Sequence, residues 1–145
     1  MSTAATELKL QVSKTLNHPV EKVFNAWLDP AMLAKFMTPG PGMSVPRAET
    51  DPKEGGRFLV VMNAPDAGDM PHAGTYKVIN PHSQITFKWE SPFSQMEDST
   101  VTLDFEPEGT GTKLTLTHIR FDSEESRNNH EGGWTAILAA LEASL

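Results

Sequence analysis

Acid–base or metal chemistry in this sequence falls to five histidines, His18, His72, His82, His118 and His130, because no cysteine is present to act as thiolate ligand or nucleophile. A metal site built from neighbouring residues needs a spacing such as His-x-His or His-Glu-x-x-His, and neither occurs. A metal would therefore require distant residues to converge. The Gly-x-Ser-x-Gly nucleophile turn and the phosphate-loop pattern are also absent. Gly109-Thr110-Gly111 reads as a hairpin turn and Gly40-Pro41-Gly42 as a loop, so no metal or cofactor is called for. The polar groups left for chemistry are His72, Tyr76, His118 and His130. His72 and Tyr76 share one face of a segment of period two that also carries Gly74, and His118 shares a face with Leu114 and Leu116. On an inward face each polar group needs a partner, since a buried unsatisfied one costs about 1–3 kcal/mol. A neighbouring side chain, a water or a ligand can supply it. Three readings stand: satisfied structural histidines, ligand contacts, or His118 and His72 as a proton-shuttling pair.

The elements that must position these groups follow from periodicity. Residues 1–6 read as a flexible tail, and residues 7–145 as a single domain. Leu8, Leu10 and Val12 alternate with Lys9, Gln11 and Ser13, a strand with one buried face. Pro19 suits the first turn of a helix carrying Val20, Val23, Phe24, Trp27 and Leu28 at helical spacing. Asp29-Pro30 repeats the start signal for a second short helix, with Leu33, Phe36 and Met37 inward. From Met43 to Ile119 strands alternate with turns. Phe58, Val60 and Met62 mark one inward face; Gly74, Tyr76 and Val78 the next; then Ile85, Phe87 and Trp89; then Val101, Leu103 and Phe105; and lastly Leu114, Leu116 and His118. A long final helix runs from Ser123 to Leu145, with Asp122 as its cap and Glu125 as capping-box partner. His130, Trp134, Leu138, Leu141 and Leu145 form its stripe. Gly132-Gly133 interrupts that helix at about 1 kcal/mol per glycine relative to alanine. Two readings remain open for the pair: close packing of the helix on the sheet or on the short helices, or a thinned wall that makes room for a ligand or a hinge.

One strand, two short helices, six more strands and one long helix describe an α+β, helix-grip architecture: a curved antiparallel sheet of about six or seven strands around the C-terminal helix. A twisted sheet of this size curls. A straight helix touches it along one line, so the hollow beside that line must be filled by side chains, water or a ligand. The inward residues available as a wall are Trp27, Phe36, Met37, Phe58 and Met62 from the first half, and Tyr76, Phe87, Trp89, His118 and Trp134 from the second. Each of these is also an ordinary core residue. A formal charge of −7 disfavours nucleic acid and anionic membrane surfaces as partners. The first ten residues lack a basic segment followed by an apolar one, which makes the cytoplasm the expected location.

The run His18-Pro-Val-Glu-Lys-Val-Phe-Asn-Ala-Trp-Leu-Asp-Pro30, with Leu33 and Phe36, resembles the opening helices of the activator of heat shock protein 90 ATPase homologue family. So do Gly55-Gly56-Arg57-Phe58, Gly74-Thr75-Tyr76, Ile85-Thr86-Phe87-Lys88-Trp89, the run Thr112 to His118, and His130-Glu131-Gly132-Gly133-Trp134. Met37 departs from the pattern, since the family often has an aromatic there. The resemblance implies membership of the START-like (SRPBCC, Bet v 1-like) superfamily, with a deep hydrophobic cavity. That superfamily includes lipid and hormone carriers, cyclases and a chaperone-activating domain, so fold narrows function only a little. The expectation is non-catalytic binding of a small hydrophobic molecule. The alternatives are a cyclase- or hydrolase-like enzyme using the cavity histidines, and a chaperone-interacting domain. The assembly is expected to be a monomer or homodimer.

Overall fold

The alternation of Leu10 and Leu16 with exposed Lys9, Gln11 and Thr15 makes β1 (Lys9–Leu16) a strand buried on one face. The structure, a computed structural model, describes residues 8–92 and 98–145, and the tail expected over residues 1–6 lies outside them. Pro19 caps α1 (Val20–Ala26), which buries Val23, Phe24 and Ala26. Asp29 accepts a hydrogen bond from the Ala31 amide at 2.9 Å and Pro30 takes the first turn of α2 (Pro30–Phe36), as the paired start signal requires. Six strands follow: β2 (Ser44–Thr50), β3 (Arg57–Ala64), β4 (Gly68–Asn80), β5 (Gln84–Lys88), β6 (Thr100–Glu108) and β7 (Gly111–Ile119). The chain closes with α3 (Glu124–Ser144), about 31 Å long at 1.5 Å per residue.

The seven strands are antiparallel throughout, in the order β1-β7-β6-β5-β4-β3-β2, and curl into a half-barrel. Among the described residues, only the β1–β7 pairing joins strands that are not sequential neighbours; the other pairings form a meander. The core lies on the concave side. There α3 packs on β1 and α2, while α2 packs on β2, so the helices close the arc from one sheet edge to the other. Among the described residues, no helix is long and apolar enough to cross a membrane.

Two details differ from the sequence reading. The cap of α3 is Ser123, whose side chain accepts from the Ser126 amide at 3.0 Å; Asp122 lies one residue too early. In β4 the inward alternation runs through His72, Gly74 and Tyr76, but the register shifts between Tyr76 and Val78. Beyond this bulge Ile79, paired with Ile85, packs on the core in the place expected for Val78.

Gly74 shows why one small residue sits on an inward face. Phe58 lies directly across from it, and a Cβ at Gly74 would fall 2.5 Å from the Phe58 ring and 1.9 Å from the Lys88 carbonyl oxygen. Phe58 thus lies over bare backbone and reaches Tyr76, Phe87 and Trp89, with ring centroids 5.3, 5.2 and 6.3 Å away.

Candidate functional site

A pocket of about 350 Å³ opens between the N-terminal half of α3, the β3–β4 hairpin and the segment after α2. On the sheet side it is walled by Met62 and Ala64 of β3, Met70 and His72 of β4, and Trp89 just after β5. Met62 and Met70 are cross-strand partners, so the hairpin presents two thioethers side by side. The helix side is one stripe of α3: Ser126, Asn129, His130, Gly133, Trp134 and Ile137, recurring at steps of three and four. Pro39 and Met43 complete the rim. Gly133 has a specific steric role, since a Cβ there would come within 3.2 Å of the Pro39 side chain. Gly132 meets nothing within 4 Å.

Of the ten residues proposed from sequence as ligand contacts, three line this pocket: Met62, Trp89 and Trp134. Trp27, Met37, Phe58, Tyr76 and Phe87 gather instead around a second void, bounded also by Trp89, of about 10 Å³. That is barely room for one water. Phe36 packs edge-on against Trp27, with centroids 4.9 Å apart. His118 stands behind Trp134, away from the lining. Six lining residues were not singled out by the sequence: Pro39, Ala64, Met70, Ser126, Asn129 and Ile137. Ser126 and Ile137 lie on a helical stripe with His130 and Trp134, which is the signal that could have found them.

The three inward histidines differ in chemistry. His118 is fully buried. The Trp134 indole N–H donates to its Nδ1 at 3.0 Å, so a neutral ring carries its proton on Nε2, which donates to Ser99 Oγ at 2.7 Å. Burial, with a smaller contribution from His130, pushes the His118 pKa down to about 3. Both nitrogens are used and the ring does not titrate near neutrality, so His118 ties β7 to α3. His72 donates from Nδ1 to the Met70 carbonyl at 3.0 Å and lies 5.1 Å from the Trp89 ring. Burial lowers its pKa to about 4, against the opposing effect of the Met70 carbonyl. His130, only partly buried, donates from Nδ1 to the Ser126 carbonyl at 2.8 Å and meets His118 edge to face. Burial lowers its pKa too, opposed by the Ser126 carbonyl and Asp122. Burial, with Asp51, raises that of the Tyr76 hydroxyl. Among the described residues, the buried indole nitrogens of Trp27 and Trp89 find no hydrogen-bond partner. Among the described residues, no group of three His, Cys, Asp or Glu side chains is placed to hold a metal ion.

A curled antiparallel sheet gripping one long helix, with an apolar pocket where they diverge, defines a START-like helix-grip domain. The chain belongs to the family described as Activator of Hsp90 ATPase homolog 1-like protein, whose model matches residues 17–145. Solved structures agree. A protein from Chromobacterium violaceum is 25% identical, with 93% of this chain and 94% of that one covered at a TM-score of 0.83. The AHSA1-like protein from Aeromonas hydrophila is 23% identical over 94% and 91%, at 0.79. A protein from Rhizobium loti is 26% identical over 96% and 97%, at 0.78. No curated protein matches the chain significantly.

Proposed function

We propose that this protein binds a small, largely apolar molecule in the pocket between α3 and the β3–β4 hairpin, without catalysis. The observation that carries the reading is the pocket itself: about 350 Å³ of open space with a largely apolar wall to which Met, Trp and Ile side chains contribute, against a void of about 10 Å³ among the other core aromatics. That volume lies in the range of small-molecule sites, where a few polar groups orient an otherwise apolar ligand. Met43, Met62 and Met70 supply a wall that adapts to shape. The acid–base alternative loses one of its two groups, since both nitrogens of His118 are engaged in the core.

Titration with the neutral dye N-phenyl-1-naphthylamine tests the reading. The protein should enhance its fluorescence saturably. Ala64→Phe, which places a ring at a lining position, should weaken that binding by about tenfold without loss of the folded circular dichroism signal. Native mass spectrometry of the purified protein reports any molecule already bound. Failure to take up the dye, with no extra mass, would end the proposal. The family's description names an activator of Hsp90 ATPase; a chaperone pull-down with an ATPase measurement would show whether that activity extends to this chain.

A further inference from the structure

We propose that the occupant of this pocket is an amphipathic molecule whose single polar group is an uncharged hydrogen-bond donor, a phenol or alcohol hydroxyl, seated against His130 with its apolar body toward Ile137. The inference rests on the binding reading above and adds the chemical class of the ligand.

Polarity is segregated along the helix wall. The first three lining positions of α3 are Ser126, Asn129 and His130, and the last three are Gly133, Trp134 and Ile137. Ser126 and Ile137 are eleven residues apart, about 16 Å along the axis, so the wall has a polar end and an apolar end. At the polar end the His130 ring is held against the rings of His118 and Phe121, with centroids 5.3 and 5.2 Å away. Its Nδ1 donates to the Ser126 carbonyl, which leaves a lone pair on Nε2 of the neutral ring. Among the described residues His130 makes no second hydrogen bond. His118 cannot share the task because both its nitrogens are occupied.

Charge decides between hydroxyl and carboxylate. Among the described residues the pocket is lined by no Lys, Arg, Asp or Glu. A carboxylate would be desolvated there without a counterion and would meet a lone pair, and an ammonium would lack its anion. Burial disfavours protonation of His130, which preserves the acceptor at neutral pH. A neutral donor gains the hydrogen bond without either penalty.

Three probes of one shape separate the possibilities: biphenyl, 4-phenylphenol and 4-phenylbenzoate, titrated into the full chain at neutral pH. 4-Phenylphenol should bind about tenfold tighter than biphenyl, the effect of one well-formed hydrogen bond, and 4-phenylbenzoate should bind more weakly than both. In nitrogen-15 spectra the phenol should shift His130 Nε2 and leave the His118 nitrogens in place. His130→Phe should reduce the preference for phenol over biphenyl to less than twofold, and His130→Gln, which keeps an acceptor, should retain part of it. Equal affinity for phenol and biphenyl, tightest binding of the benzoate, or a preference that survives His130→Phe would overturn the inference and leave the binding reading intact. No binding of any of the three would remove both.

Discussion

His118 and His130 are rings 5.3 Å apart with different roles. His118 completes a buried chain, Trp134 to His118 to Ser99, that crosses from α3 to the sheet. His118→Leu keeps much of the volume but strands the Trp134 indole N–H and the Ser99 hydroxyl in the interior. At about 1–3 kcal/mol for each orphaned group, the variant should lose about 3 kcal/mol in urea unfolding. A loss below about 1 kcal/mol would mean that the chain of hydrogen bonds contributes little. From sequence, His118 was legible as inward because it continues the Leu114, Leu116 face. Its partners were not legible: Ser99 and Trp134 are 19 and 16 residues away, and nothing in local periodicity selects them.

At the scale of elements, the glycine pair of α3 divides into two cases. Gly132 is exposed with open space around its missing side chain, so Gly132→Ala should stabilise the protein by about 1 kcal/mol through helix propensity alone. Gly133→Ala makes the same backbone gain but pushes a methyl to 3.2 Å from Pro39 at the pocket rim, which should cancel most of it. Thermal melts of the two variants give the comparison, and equal melting temperatures would refute the division. Gly74→Ala should be far worse than either, because the new methyl meets a carbonyl oxygen at 1.9 Å that belongs to the sheet backbone and cannot swing aside. From sequence the pair was read as packing on the sheet or the short helices, or as a thinned wall; in the structure Gly133 meets Pro39, in the segment after α2, and borders the pocket. Neither explains Gly132. The bulge in β4 was similarly hidden, since an inserted residue shifts the alternation by one and Val78 and Ile79 are equally apolar.

For the whole molecule, the inward histidines set the acid limit of stability. His72 and His118 titrate near 4 and 3 when folded, below the roughly 6.5 of an unfolded chain. The unfolded state therefore binds more protons between those values. The stability these rings allow is complete above about pH 6.5 and falls by about 1.4 kcal/mol per pH unit for each ring as the pH drops toward the folded values. The carboxylates of Glu90, paired with Arg57, and Asp98, paired with Lys77, are shifted downward and lose stability in the same direction, but both are close to half exposed, where solvent screens the pairs, and add little. Urea midpoints should stay level from pH 8 to about 7 and drop steeply below 6, and His118→Leu should flatten the slope by about one proton. A midpoint unchanged down to pH 5 would contradict the assignment.

By itself the sequence determined the order and kind of the elements and the inward face of most of them, though not of β2 or of β4 beyond its bulge. Periods of 2 and 3.6 are local properties of the chain, and an antiparallel meander needs only short turns between neighbours. The tertiary structure decided which inward residues border open space. Trp27, Phe58 and Trp134 are all large, aromatic and buried, yet only Trp134 faces the pocket. Periodicity reports a face and carries no depth. The void lies where the curl of the sheet, the line of α3 and the contact of Gly133 with Pro39 leave a gap, and each of these depends on residues far apart in the chain.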